Sequence, residues 1–301
     1  MTIPESAHYR IAHRTHYRYA SMVAICQNQL RMMPRSFTRR MSGLECHQVE
    51  TWIDPEPTVL HEHTDYYGNR VLSFAIESLH QELTVMVNSE VTVHQTGDVL
   101  NQESPAWESI VKRIKATEDR RWLIAQEYQF DSPRITLGPT YEEYARQSFT
   151  PGRPLVEAGI ELTKRIHDDF KYDVTATDVN TTTDRAFELR AGVCQDFAHV
   201  QIACLRSIGI PARYISGYLR TVPPPGEPRL VGADESHAWI SMYAGDALGW
   251  LDMDPTNACP ANTNHIPICL GRDYSEVTPM RGVVLGGGAT KLSVSVDVAP
   301  I

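Results

Sequence analysis

The chain has 301 residues, 42% of them hydrophobic, enough to bury one large core or two smaller ones, and two domains is the expectation. With 28 basic against 37 acidic residues, its net charge of −9 gives no cationic footprint for phosphate backbones or anionic membranes, which sets aside nucleic-acid and membrane partners. Met1-Thr2-Ile3-Pro4-Glu5-Ser6 has neither a cationic nor an apolar targeting run, and no later apolar stretch is long enough to span a bilayer. The six cysteines therefore read as reduced thiols, in a cytoplasmic protein.

From Tyr9 to Tyr19 the residues Tyr9, Ile11, Thr15, Tyr17 and Tyr19 take the odd positions and mostly basic residues the even ones, the alternation of a half-buried strand. Val49–Ile53, Arg70–Ile76 and Glu82–Val93 repeat the texture between turn clusters at 54–57 and 65–69. These strands predict a β-rich domain over residues 1–97, a sandwich or small barrel. Residues 98–153 form a helical connector, with interrupted helical spacing over 104–129 and a short helix from Tyr141 to Gln147. A second domain, 154–301, starts with the helix Leu155–Phe170. Thr183 or Asp184 can cap the next helix. Strands follow at Ala212–Leu219, Asp234–Tyr243 and Leu248–Asp254, the first two flanking a surface loop at Pro223–Pro228, and a last strand runs from Leu292 to Val298.

Three histidine-rich spots, His13-x-x-His16, Cys46-His47 and His61-Glu62-His63, invite a metal reading. Residues three apart on a strand point to opposite faces, and no Cys-x-x-Cys or His-x-x-x-His occurs. Polar surface histidines, with no metal and no cofactor, are the expectation.

The chemistry concentrates at Arg190–His199. After Gly192 the apolar residues Phe197, Val200, Cys204, Leu205 and Ile208 fall at helical spacing, which sets Cys194 at a helix start. Free N–H groups and the positive end of the helix dipole favour a thiolate there. His199 faces elsewhere on that helix, and Asp196 meets the dipole in its first turn. A cysteine on a helix, a histidine on one strand and an aspartate on another are what thiol-based acyl transfer needs. His237 and Asp254 supply the other two, with the Cys194 backbone N–H as an oxyanion donor. Gly245-Asp246 reads as a two-residue type II′ turn, whose register pairs Tyr243 with Leu248, Trp239 with Asp252 and His237 with Asp254.

Gly192-Val193-Cys194-x-Asp196, Gly209-Ile210-Pro211-Ala212-Arg213, Gly217-Tyr218, His237-Ala238-Trp239 and Trp250-x-x-x-Asp254-Pro255-Thr256 resemble the core of the transglutaminase-like superfamily. The alternating Tyr9–Tyr19 run, Pro34-Arg35, Asp65-x-x-Gly68-Asn69 and Gly271-Arg272-Asp273-Tyr274 are similar to bacterial members with an N-terminal β-domain, often labelled cysteine proteases. The resemblance implies an α+β fold, with a β-sandwich-like N-terminal domain before a papain-like core, and a triad of Cys194, His237 and Asp254 that cleaves or transfers peptide or protein amides through a thioester. Trp239 and Glu235, beside His237, are the candidate substrate contacts. Hydrolysis is the favoured outcome; an amine-accepting transglutaminase and a non-catalytic binding module are the alternatives. The oligomeric state is not legible.

Overall fold

The computed structural model describes residues 5–221 and 235–301; the loop expected at Pro223–Pro228 lies outside them. Alternation dictates the first element, β1 (Ser6–Leu30), which buries Tyr9, Ile11 and Val23 and, past an irregularity after Val23 that changes the phase, Cys26 and Leu30. It is followed by β2 (Ser42–Asp54), β3 (Val59–Thr64), β4 (Arg70–Ile76) and β5 (His80–Gln95). One edge of β1 pairs with β5 and then β4, and β2 extends the sheet beyond β5.

The connector holds α1 (Trp107–Lys115), α2 (Arg120–Gln126) and α3 (Pro139–Arg146). Next come α4 (Leu155–Asp169), α5 (Thr183–Leu189, capped by Thr182 rather than Thr183 or Asp184) and α6 (Cys194–Ser207). A second antiparallel sheet follows, from β6 (Ala212–Leu219), β7 (Glu235–Tyr243), β8 (Trp250–Asp254) and β9 (His265–Gly271). Its central pair is β6–β7, with β8 outside β7 and β9 outside β6. The helix α6 packs on β7 and is buried from Gln195 to Arg206, as a helix central to a core must be.

The chain then departs from the expected division. The strands β10 (Met280–Gly286) and β11 (Thr290–Pro300) do not join the second sheet; they run head to tail down the other edge of β1, Leu30 pairing with Met280 and Tyr9 with Pro300. The C-terminal strand placed with the catalytic core thus belongs to the N-terminal sheet. Periodicity reports a strand's buried face but not which edge it joins, which is why the sequence missed this.

The two sheets share one apolar core. Tyr9, Ile11, Val296 and Val298 of the first pack in the same cluster as Tyr218 and Met253 of the second and Phe197 of α6. Polar contacts cross the same boundary: Asn69 donates to Leu270 O at 2.8 Å and accepts from Leu270 N at 2.9 Å, and Arg39 Nη1 meets both carboxylate oxygens of Asp252 at 3.0 Å.

The β7–β8 connection also departs from expectation. Gly245–Leu248 is a helical turn instead of a two-residue hairpin, with Gly245 at φ 81 and Gly249 at φ 70, backbone that favours glycine. Asp246 fixes it, accepting from Trp122 Nε1 at 3.0 Å and facing Arg113 at 2.7 Å. Tyr243 consequently pairs with Trp250, and Asp252 with Ser241, a shift of two residues.

Both members of the Arg39–Asp252 pair are largely withdrawn from water, so removing one leaves the other charge poorly solvated. Arg39→Ala should lower unfolding stability by about 2–3 kcal/mol in a denaturant titration. A loss within measurement error would show that this pair does not fasten the two sheets.

Candidate active site

Cys194 is the first residue of α6, and the local sequence fixes it there. Asp196 Oδ2 accepts from Val193 N at 2.8 Å and from Thr177 Oγ1 at 2.7 Å, closing the helix start and tying it to the 173–182 loop. Gly192 is required because a Cβ on it would collide with the Asp196 side chain. Burial pushes the Asp196 carboxyl up, and its role is to hold this turn.

Across the cavity stands His237, near the start of β7 and 8% exposed. Its Nε2 lies 2.7 Å from Asp254 Oδ2. A carboxylate only accepts, so Nε2 carries the proton and Nδ1 is left to face Cys194. Burial pulls the imidazole down, but hydrogen bonds to Asp254 and to the Cys194 thiol prevail and raise it to about 10.

Asp254, at the end of β8, is fully buried. Burial pushes its carboxyl up; the bonds from His237 and His265 overcome this and hold it well below the usual carboxylate range. Five hydrogen bonds reach it: His237, His265 (3.1 Å) and Asn257 Nδ2 (2.6 Å) at Oδ2, and the N–H groups of Thr256 (2.8 Å) and Asn257 (3.2 Å) at Oδ1.

His265 is a residue the sequence reading missed. Its Nδ1 accepts from Asn262 N at 3.1 Å, so the proton sits on Nε2 and points at Asp254. Asn257 was missed as well, although it stands beside the Asp254-Pro255-Thr256 motif. Nothing in the sequence around His265 signals its reach to Asp254.

The remaining candidates fall as follows. Trp239 is 0% exposed and lies behind His237, stacked at a ring separation of 6.1 Å and meeting His265 edge-on at 5.3 Å. The expected substrate contact is therefore corrected: Trp239 walls the pair on its buried side, because residues 237 and 239 share a strand face that turns into the core. Of Glu235 only the backbone, at the start of β7, is described; its side chain lies outside the described residues. Asp252 is occupied by Arg39. His13, expected at the surface, is 2% exposed; its Nδ1 meets Tyr218 Oη at 2.7 Å between the sheets, and burial lowers it to about 4. His199 is also buried and accepts from Tyr274 N at 3.2 Å.

His237, Asp254 and His265 bring three possible ligand atoms within 4.8 Å of one another, the one such group among the described residues. The donor set does not suit a cation. Both histidines present protonated nitrogens to the carboxylate, and a metal would have to displace those protons and the Asn257 bond together.

Residues 9–92 match the bacterial transglutaminase-like N-terminal region and residues 142–255 the transglutaminase-like superfamily. An uncharacterized protein of Mycobacterium tuberculosis is 36% identical over 97% of this chain and 92% of its own length. One of Mycobacterium leprae is 34% identical over 96% and 97%. A protein-glutamine gamma-glutamyltransferase of Pseudomonas aeruginosa is 29% identical over 50% of this chain but 22% of that protein. In fold, the chain is similar to a "putative cysteine protease" from Cytophaga hutchinsonii, with a TM-score of 0.76 at 18% identity over 100% of this chain and 92% of that one. The chain belongs to the transglutaminase-like superfamily, with the α+β architecture of that fold.

His265→Gln, which removes one bond to Asp254, should lower kcat by about tenfold with KM little changed, the scale of lost outer-shell support. The pH profile should move too. Asp254 raises the His237 pKa, so activity that needs the imidazolium falls as pH rises through about 10, and Asp254→Asn should shift that limb to lower pH. A limb unmoved in Asp254→Asn would detach it from His237.

Proposed function

We propose that the chain is a cysteine-nucleophile enzyme that hydrolyses amide bonds of peptides or proteins through Cys194, His237 and Asp254, without a cofactor. The observation that carries the reading is His237, which turns Nε2–H to a buried carboxylate and its other nitrogen to a cysteine at a helix start. The Sγ of Cys194 attacks the carbonyl carbon, forming the C–S bond and an oxyanion, for which the Cys194 N–H at the first helical position is a donor. Collapse breaks the C–N bond as the imidazolium gives its Nδ1 proton to the departing amine. Water then attacks the thioester, His237 takes a proton from it, and the acid leaves with Sγ restored as thiolate.

An amine in place of water would give transfer, and the likeness to the Pseudomonas glutamyltransferase keeps that as the second reading. Product analysis with a primary amine present separates the two: free acid supports hydrolysis, a new amide supports transfer. All six cysteines are free.

Burial raises the other five thiols, those of Cys204, Cys259 and Cys269 to about 12. Iodoacetamide at pH 6, followed by peptide mapping, should therefore modify Cys194 first, and Cys194→Ala should abolish activity with the fold retained. Asp254→Asn should lower turnover by about 10⁴-fold, as loss of a tautomer-fixing carboxylate does in other triads. Asp252→Asn should act chiefly on stability, through Arg39. First labelling at another cysteine, or a crippling Asp252→Asn beside a mild Asp254→Asn, would end the assignment.

A further inference from the structure

Cys194 and His237 open into a cavity of about 310 Å³ whose far wall comes from the N-terminal sheet. Tyr17 of β1 and Leu292 and Val294 of β11 line it, with Leu292 paired to Tyr17 and Val294 to Thr15. Leu292, Val294, Val296 and Val298 alternate onto one face of β11. The last two are buried in the shared core, whereas Leu292 and Val294 remain 52% and 50% exposed. An apolar stripe thus leaves the core and ends, half exposed, in the cavity that Cys194 and His237 also line. Among the described residues no Asp, Glu, Lys or Arg lines the cavity, and His13 on its wall is held neutral by burial.

A cavity at the lower end of the roughly 300–1,000 Å³ range of ligand sites admits one or two residues of an extended chain. A charged side chain placed against Leu292 and Val294 would lose water beside apolar carbons, whereas a large apolar one would cover them. We infer that Tyr17, Leu292 and Val294 form the side-chain subsite of the acyl donor, and that the enzyme selects a bulky, uncharged, apolar residue at the attacked carbonyl. This rests on Cys194 being the nucleophile. It also gives the β-domain a direct role, since the strand that closes the catalytic cleft is the C-terminal one returned to β1.

The test uses acyloxymethyl ketone probes carrying Leu, Phe, Glu or Lys beside the reactive carbon, with iodoacetamide as a probe that has no side chain; the rate of Cys194 modification is read by intact-protein mass spectrometry. Relative to iodoacetamide, the Leu and Phe probes should react at least about tenfold faster than the Glu and Lys probes, the discrimination that one apolar contact typically provides. Leu292→Lys should lower the Leu:iodoacetamide rate ratio by about tenfold and raise the Glu:Leu ratio, and Leu292→Met should restore the wild-type preference. Equal rates for the four probes, or a Leu292→Lys variant that keeps the wild-type ratios, overturn the subsite alone. Failure of iodoacetamide to modify Cys194 overturns the nucleophile assignment and the subsite with it.

Discussion

A carboxylate shut away from water is the constraint around which this molecule is arranged. Asp254 has no exposed surface, and an ion in that position survives only if its oxygens are filled by donors. The fold assembles them from three places: His237 from β7, His265 from the start of β9, and Asn257 and Thr256 from the turn after β8. The second sheet can therefore be read as the frame that brings these donors to one point. Each donor also restricts the carboxylate's rotation, so the imidazole of His237 receives one orientation rather than a range of them. Trp239 packs against both imidazoles, stacked on His237 and edge-on to His265.

The second constraint is the length of β1. Its 25 residues pair with β5 and β4 on one edge and with β11 and β10 on the other, so both ends of the chain converge on one strand. A long two-sided strand needs a continuous apolar face, and the odd-numbered run from Tyr9 onward supplies its beginning. Because β11 lies against the second sheet through Val296 and Val298, the catalytic cleft is a joint between sheets and not a groove within one. Arg39–Asp252, Asn69–Leu270 and His13–Tyr218 hold that joint with directional bonds, so its shape is set by more than the area it buries.

Much of this was legible in the chain. The period-2 runs located β1, β4, β5 and β6, and the helical spacing after Gly192 placed Cys194 at its helix start, because those signals are local. What was missed depends on encounters between distant segments. His265 gives no local sign of reaching Asp254, and the edge that β11 would choose is not encoded in its alternation. His13 read as a surface residue because histidines without ligand spacing are polar surface residues by default; in the fold it is buried against Tyr218, which is 205 positions away. Trp239 was judged from its nearness in sequence to His237, and on a strand that nearness puts it behind the imidazole instead of in the cleft.

The hairpin shows why a wrong register still led to the right pair of residues. The helical turn at Gly245–Leu248 displaces the pairing by two positions, and since side chains alternate with period two, an even shift keeps each residue on its own face. Continued from Ile240–Met253, the observed register sets Asp254 opposite Trp239, so His237 becomes its diagonal neighbour. Diagonal Cβ atoms stand about 7–8 Å apart, a gap that an imidazole and a carboxylate can bridge together, and the 2.7 Å bond shows that they do. The longer reach has a chemical consequence. Along the diagonal His237 gives Nε2 to Asp254, which leaves Nδ1 for Cys194.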